Sequence, residues 1–209
     1  MTEQTDVLQT PRLMLAPPVL ADFEDYAGLW ADQAVVRYMG GVPFSRSAAW
    51  ARFQRQAGGW ALRGFGTWVV RERVSGRFVG EVGFCDFRRD ITPALGPEPE
   101  AGWMLAPWSH GQGLASEAVA AAHAWGDARF AGPRTVCMID PNNVPSLRLA
   151  AKIGYAEYAR SAYGERLVVL HERPAPITIE DGLEALRIGV AATRAHETGR
   201  TIVVSNITA

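Results

Sequence analysis

The stretch Leu105-Ala106-Pro107-Trp108-Ser109-His110-Gly111-Gln112-Gly113-Leu114-Ala115-Ser116-Glu117 constrains this chain more than any other. It reads as a strand end, a tight turn and the start of an alanine-rich helix. Gly111 and Gly113 let the backbone turn sharply and approach a ligand closely. The first N–H groups of the following helix have no partner within it and carry the positive end of its dipole. Such a turn is a cradle for an anion, a phosphate group above all.

Around the turn, strand and helix patterns alternate. Residues 12–16 alternate as a strand, which Pro17-Pro18 ends because proline cannot continue a ladder. Phe23, Tyr26, Ala27 and Trp30 share one face of a helix over 20–30, and a second helical piece over 33–39 closes at Gly40-Gly41. Ser45 or Ser47 caps a third helix through Ala48, Trp50, Phe53 and Gln54, expected to fail at Gly58-Gly59. From Gly66 the period changes to two, and 67–72 and 78–85 make a hairpin about Ser75-Gly76.

A polar loop over 88–99 leads to a strand over 100–105, then the glycine turn and a helix over 114–130. The unbroken apolar run 135–139 is expected to be a strand covered on both faces. Asp140-Pro141-Asn142-Asn143 follows, then a short helix over 146–153 stopped by Gly154. Two strands, 155–161 and 166–172, turn at Tyr163-Gly164. We expect one domain over 1–174 and a C-terminal extension over 175–209, with a helix over 180–196, Thr178 as N-cap, Gly199 as stop and a short strand over 201–204.

Composition narrows the function classes. With 21 basic and 22 acidic residues in 209, no global charge draws the chain to nucleic acid or to an anionic membrane. The start is polar and acidic, unlike an export signal, and no apolar run approaches the roughly 20 residues that span a bilayer. Cys85 and Cys137 lie in β-like runs, as buried reduced thiols do, and the four histidines lack zinc-ligand spacing. The expectation is a cytoplasmic, metal-free protein.

The order strand, glycine turn, helix, strand, Asn-rich loop, short helix and Gly-Tyr carries His110-Gly111-Gln112-Gly113-Leu114-Ala115, then Asn143-x-x-Ser146, then Lys152-Ile153-Gly154-Tyr155. In this it resembles the GNAT superfamily of acyl-CoA-dependent N-acetyltransferases. Ala-Pro-Trp before the turn, Ala-Ser-Glu-Ala after it and the closing His-Glu-Arg-Pro resemble the ribosomal-protein alanine N-acetyltransferase branch, over about residues 8–174. The resemblance implies a mixed α/β (α+β) fold, a central, mostly antiparallel twisted sheet flanked by helices and splayed at the acyl-CoA site.

It also implies acetyl-CoA as co-substrate, its pyrophosphate on the amides of His110, Gly111, Gln112, Gly113, Leu114 and Ala115. The pantetheine arm pairs with backbone at Met104, Leu105 and Ala106, and with Asn143 and Ser146. By resemblance Glu100 is the candidate general base, Glu81 a weaker one or an acceptor contact, and Arg37 and Tyr38 belong to the acceptor wall. The usual general-acid tyrosine position is Ala150, so the thiolate leaves by another route, through water or with help from Ser146. The oxyanion donor is expected at the amide of Leu105 or its neighbour.

The tail, Ile177 to Ala192 with Thr198-Gly199-Arg200, resembles the last segment of the glucose-fructose oxidoreductase and inositol dehydrogenase family. The dinucleotide-binding part of that family is absent, so no dehydrogenase is implied. The tail's apolar helix face is expected to pack on the domain or on a second copy, making a homodimer. Two functions remain open at this level: acetyl transfer to a primary amine, on a protein N-terminus or a small molecule, or a non-catalytic acyl-CoA-binding or interaction module.

Overall fold

The structure, a computed structural model, describes residues 6–130, 134–176 and 179–203. It divides into two units, 1–174 and 175–209. The first unit holds an eight-stranded sheet of order β1-β2-β3-β4-β5-β6-β8-β7. The strands are β1 (Leu8–Gln9), β2 (Leu13–Ala16), β3 (Thr67–Glu72), β4 (Phe78–Cys85), β5 (Glu100–Leu105), β6 (Arg134–Ile139), β7 (Ala156–Tyr163) and β8 (Arg166–Pro174). All neighbours are antiparallel except β5 and β6.

That exception shapes the molecule. β4 pairs with β5 from Cys85↔Glu100 to Gly80↔Leu105, and β6 with β8 from Arg134↔Pro174 to Ile139↔Val169. Between them β5 and β6 share one registered pair, Glu100↔Val136, beside the Val136 N–H donating to Pro99. Beyond Glu100 the two strands part, and the sheet is open there.

Helices cover both faces. On one, α4 (Leu114–Asp127) buries Leu114, Ala118, Val119, Ala122 and Trp125 against Val82 and Phe84, at the spacing of a single helical stripe. α5 (Val144–Lys152) adds Ala150 to the same core. On the other, α1 (Phe23–Ala31), α2 (Gln33–Val36) and α3 (Arg46–Arg63) bury Phe23, Tyr26, Trp30, Val36 and Phe53 against Val69 and Phe78. In β6, Cys137 and Ile139 join the first core while Val136 joins a third with Val168 and Leu170. The strand is thus covered on both faces, as its apolar run implies.

Three expectations need correction. α3 does not fail at Gly58-Gly59. It runs from the Ser45 cap, whose hydroxyl accepts from the Ala48 N–H, to Gly64 at φ 70°. The reason lies in packing: a Cβ on Gly59 would stand 3.2 Å from the Phe65 carbonyl, so glycine lets the chain fold back against the helix that contains it. α4 stops at Asp127, three residues short, with Phe130 packing beside it against Phe84 and Trp125. Residues 201–203 form no strand.

The tail helix α6 (Ile179–Thr198) does form, and Gly199 at φ 65° ends it, its N–H donating to Ala195. Thr178 and Val204 lie outside the described residues.

Inside the α4 core, His123 is 5% exposed, with Nδ1 2.8 Å from the Val119 carbonyl and Nε2 3.0 Å from the Tyr155 hydroxyl. Nδ1 carries the proton to Val119, so Nε2 accepts from Tyr155, which accepts in turn from Thr135 at 2.7 Å. Burial pulls the imidazole down from 6.5 to about 4. The unfolded chain therefore takes up this proton first as pH falls. Stability is intact above pH 6.5 and lost on the way to pH 4, by about 3 kcal/mol from this group. Denaturant midpoints should fall over that window, and by less in His123→Asn.

Candidate active site

The glycine turn sits where β5 leaves the open sheet. Gly111 and Gly113 have φ of 74° and 76°, a left-handed conformation that side chains resist. Around them the carbonyls are tied back. The Ala106 carbonyl accepts from the Ser109 hydroxyl at 2.7 Å, Trp108 from the Gln112 amide at 2.7 Å, and Gln112 from Arg12 at 2.8 Å. His110 Nε2 lies 3.1 Å from the Leu105 carbonyl. With their carbonyls held, the amides from Gly111 to Ala115 donate to no backbone acceptor among the described residues. Donors together, acceptors turned away and a helix start behind them make an anion cradle.

Arg12, unforeseen in the sequence, is the clamp on this turn. Besides holding Gln112 it bonds Glu117 in the first turn of α4, through Nε at 2.6 Å and its own N–H at 2.9 Å, while Thr10 donates to the same carboxylate at 2.5 Å. Burial would raise the Glu117 carboxyl, but the bonds from Thr10 and Arg12 outweigh it and hold it below its usual range. The 105 positions between Arg12 and Glu117 hide the pair from any local pattern.

The opening between β5 and β6 offers backbone and side-chain partners to a second stretch of ligand. Ala106 faces the other way: its N–H donates to Val79 at 2.8 Å and its carbonyl accepts from Ser109. Strand alternation turns Met104 toward β4 as well, and its carbonyl crowds Gly80. Of the three backbone positions expected to line the opening, Leu105 alone faces it, together with Trp103, which was not expected. The difference is one of parity along the strand, set by how β4 pairs.

Across the opening, the Trp103 indole donates to Ser146 Oγ at 3.2 Å. Asn143 caps α5 through Oδ1, which accepts from the Ser146 N–H at 3.3 Å, and its Nδ2 donates to nothing among the described residues. Cap and ligand are therefore compatible roles for Asn143. Ala150 is fully buried in the core and brings no acid to the opening.

Glu100 stands at the apex, where β5 and β6 meet, and is 7% exposed. It has a partner that the sequence does not announce. Arg89 Nε and Nη2 reach its two oxygens at 2.7 and 2.9 Å, a bidentate fork. Glu81 lies farther along the same face of the sheet, 3% exposed and 3.2 Å from Arg52 Nη2. Its second oxygen takes the Thr67 hydroxyl at 3.4 Å. Arg37 and Tyr38 follow α2, Tyr38 receiving Arg166 from β8 on its carbonyl at 3.1 Å. No group of three potential metal-ligating side chains occurs among the described residues.

A GNAT acetyltransferase domain family matches residues 12–156. The chain belongs to the GNAT acetyltransferase family. The chain is 34% identical in sequence, with a TM-score of 0.72, to a putative GNAT-family acetyltransferase structure from Bordetella pertussis, over 80% of this chain and 99% of that one. The Bacillus subtilis (strain 168) protein YkkB is 29% identical over 128 residues, 60% of this chain and 70% of its own. A putative ribosomal-protein-serine acetyltransferase from Vibrio cholerae shares the fold, at TM-score 0.61 and 20% identity over 80% of this chain and 97% of that one.

As a GNAT enzyme the chain is an acyl-CoA-dependent N-acetyltransferase, with acetyl-CoA as its co-substrate. The site suits that molecule. The cradle offers unpaired amides to a diphosphate, and the opening that runs from it to Glu100 offers strand backbone to an amide-bearing arm.

Proposed function

We propose that the chain acetylates the primary amine of an acceptor, a protein N-terminus or a small amine, by direct attack within a ternary complex. The observation that carries the reading is the single registered β5–β6 pair, which leaves one opening with the anion cradle at its wide end and a carboxylate at its apex. The amides of Gly111 to Ala115 hold the diphosphate of acetyl-CoA. The Leu105 amide, facing the opening, pairs with the arm or with the thioester oxygen as it gains charge. Asn143 Nδ2 donates to the arm.

The amine nitrogen attacks the thioester carbon, the carbon–sulfur bond breaks, and the sulfur leaves as thiolate. Ser146 accepts from Trp103 and so keeps its own proton to donate toward that sulfur. Each Glu100 oxygen has a lone pair outside the Arg89 fork, so the proton shed by the amine reaches Glu100 through water. Holding the two substrates in attack geometry supplies the larger share of the rate, because the thioester is already activated.

Glu100→Gln tests the assignment. It should lower kcat by about a hundredfold or more, while CoA still binds. CoA release across a panel of amines and N-terminal peptides, with CoA titration beside it, reads both, and an unchanged kcat removes Glu100 from the proton path. Free thiols at Cys85 and Cys137, and the lack of a helix long and apolar enough to cross a membrane among the described residues, support a cytoplasmic setting. Exposed Leu183 and Leu186 on α6 support a homodimer made through the tail.

A further inference from the structure

Beside the apex, several arginines lie over aromatic rings. Arg89, forked to Glu100, has its Cζ 4.4 Å from the centre of the Phe87 ring and 4.9 Å from that of Tyr163. Arg55 of α3 lies 5.1 Å from the same Phe87 ring. Tyr163 pairs with Arg166 across the β7–β8 turn, and Arg166 reaches the Tyr38 carbonyl, beside which Arg37 lies 5.3 Å from the Tyr38 ring. Three separate segments, 37–55, 86–100 and 163–166, thus close one arc around the apex.

The charge in this arc is unequal. Glu100 is taken by Arg89, Asp86 by Arg63 and Arg88, and Glu98 by Arg134. Arg37, Arg55 and Arg166 make no ion pair among the described residues. Against them stand two exposed acids without partners there, Asp90 and Glu165. A guanidinium stacked on a ring is held in orientation while its N–H edge stays open, and that edge fits a carboxylate in two parallel bonds. A cationic acceptor such as a polyamine would meet like charge on this side.

We infer that the acceptor is an amine carrying carboxylates close to its reactive nitrogen, of the kind found at an acidic peptide N-terminus or in a dicarboxylic amino acid. The inference rests on the N-acetyltransferase reading of the same site. Arg37, Arg55 and Arg166 take the carboxylates and leave the amine directed at the apex. The charge preference then belongs to this arc alone, and replacing Asp90 and Glu165 by their amides should widen it.

The test is calorimetric binding to the CoA-saturated protein, with CoA release from acetyl-CoA measured in parallel. The probes are the tripeptide amides Ala-Asp-Glu, Ala-Asn-Gln and Ala-Lys-Lys, and free aspartate. Either acidic probe should bind about tenfold or more tighter than Ala-Lys-Lys at low salt, the gap narrowing at about 0.5 M salt. In the triple variant Arg37→Gln/Arg55→Gln/Arg166→Gln the gap should close to within about threefold, with CoA affinity as the folding control. Equal binding of acidic and basic probes, or a gap that survives the triple variant, overturns the inference. A binding gap without acetylation of any probe sustains the charge preference of the arc and overturns the claim that the carboxylates lie close to the reactive nitrogen. Equal turnover of all probes overturns the inference and leaves the N-acetyltransferase reading standing.

Discussion

Arg12→Ala should weaken CoA binding by about tenfold to a hundredfold, although Arg12 clamps the cradle and is no catalytic group. The change removes the bond that holds the Gln112 carbonyl back, and each charge-assisted bond of this kind is worth about 1.5–3 kcal/mol. It also leaves Glu117 a bare carboxylate in the first turn of α4, beside amides meant for a diphosphate. Glu117→Ala separates the two effects. That variant should lose stability through the Thr10 and Arg12 bonds yet keep CoA affinity, because the remaining cation favours a phosphate. The double variant should bind CoA better than Arg12→Ala alone. Titration of CoA against the four proteins reads the cycle, and additive losses mean that the clamp does not act through Glu117.

Arg52→Leu should cost more in stability than any surface change, about 3–5 kcal/mol. Glu81 is 3% exposed, and without Arg52 its remaining partner is the Thr67 hydroxyl at 3.4 Å. Burial alone would pull the Arg52 guanidinium down, but the adjacent Glu81 outweighs it and keeps it above its ordinary value. Arg52 also lies 4.0 Å over the Trp30 ring, so its loss opens a gap against α1. Replacing both partners, Arg52→Met with Glu81→Leu, removes the stranded charge and should cost less than the single change. Thermal unfolding measures both, and a double variant no more stable than Arg52→Leu would mean that packing against Trp30, not the buried charge, sets the cost.

The parts of this site legible in the sequence are those built from neighbours in the chain. The turn from His110 to Ala115 needs two glycines in left-handed conformation and a helix start, all within six residues. Gly154 ending α5 is likewise local. Arg12 with Glu117 and Trp103 with Ser146 join residues 105 and 43 positions apart, and no period links them. The misreading of Gly58-Gly59 has the same origin. A glycine pair weakens a helix intrinsically, but here Phe65 packs back against Gly59 and tertiary contact overrides propensity.

Alone, the amino-acid sequence determined the order of strands and helices, the anion cradle and the family, because each rests on short-range chemistry repeated along the chain. Tertiary structure decided which way β5 faces and therefore that Leu105 and Trp103, not Met104 and Ala106, meet the opening. It also decided that Glu100 lies in the grip of Arg89, and that Arg55 shares the Phe87 ring with Arg89 while Arg166 reaches the Tyr38 carbonyl. Strand parity and ion pairing depend on partners brought together across the fold, and a linear pattern does not carry them.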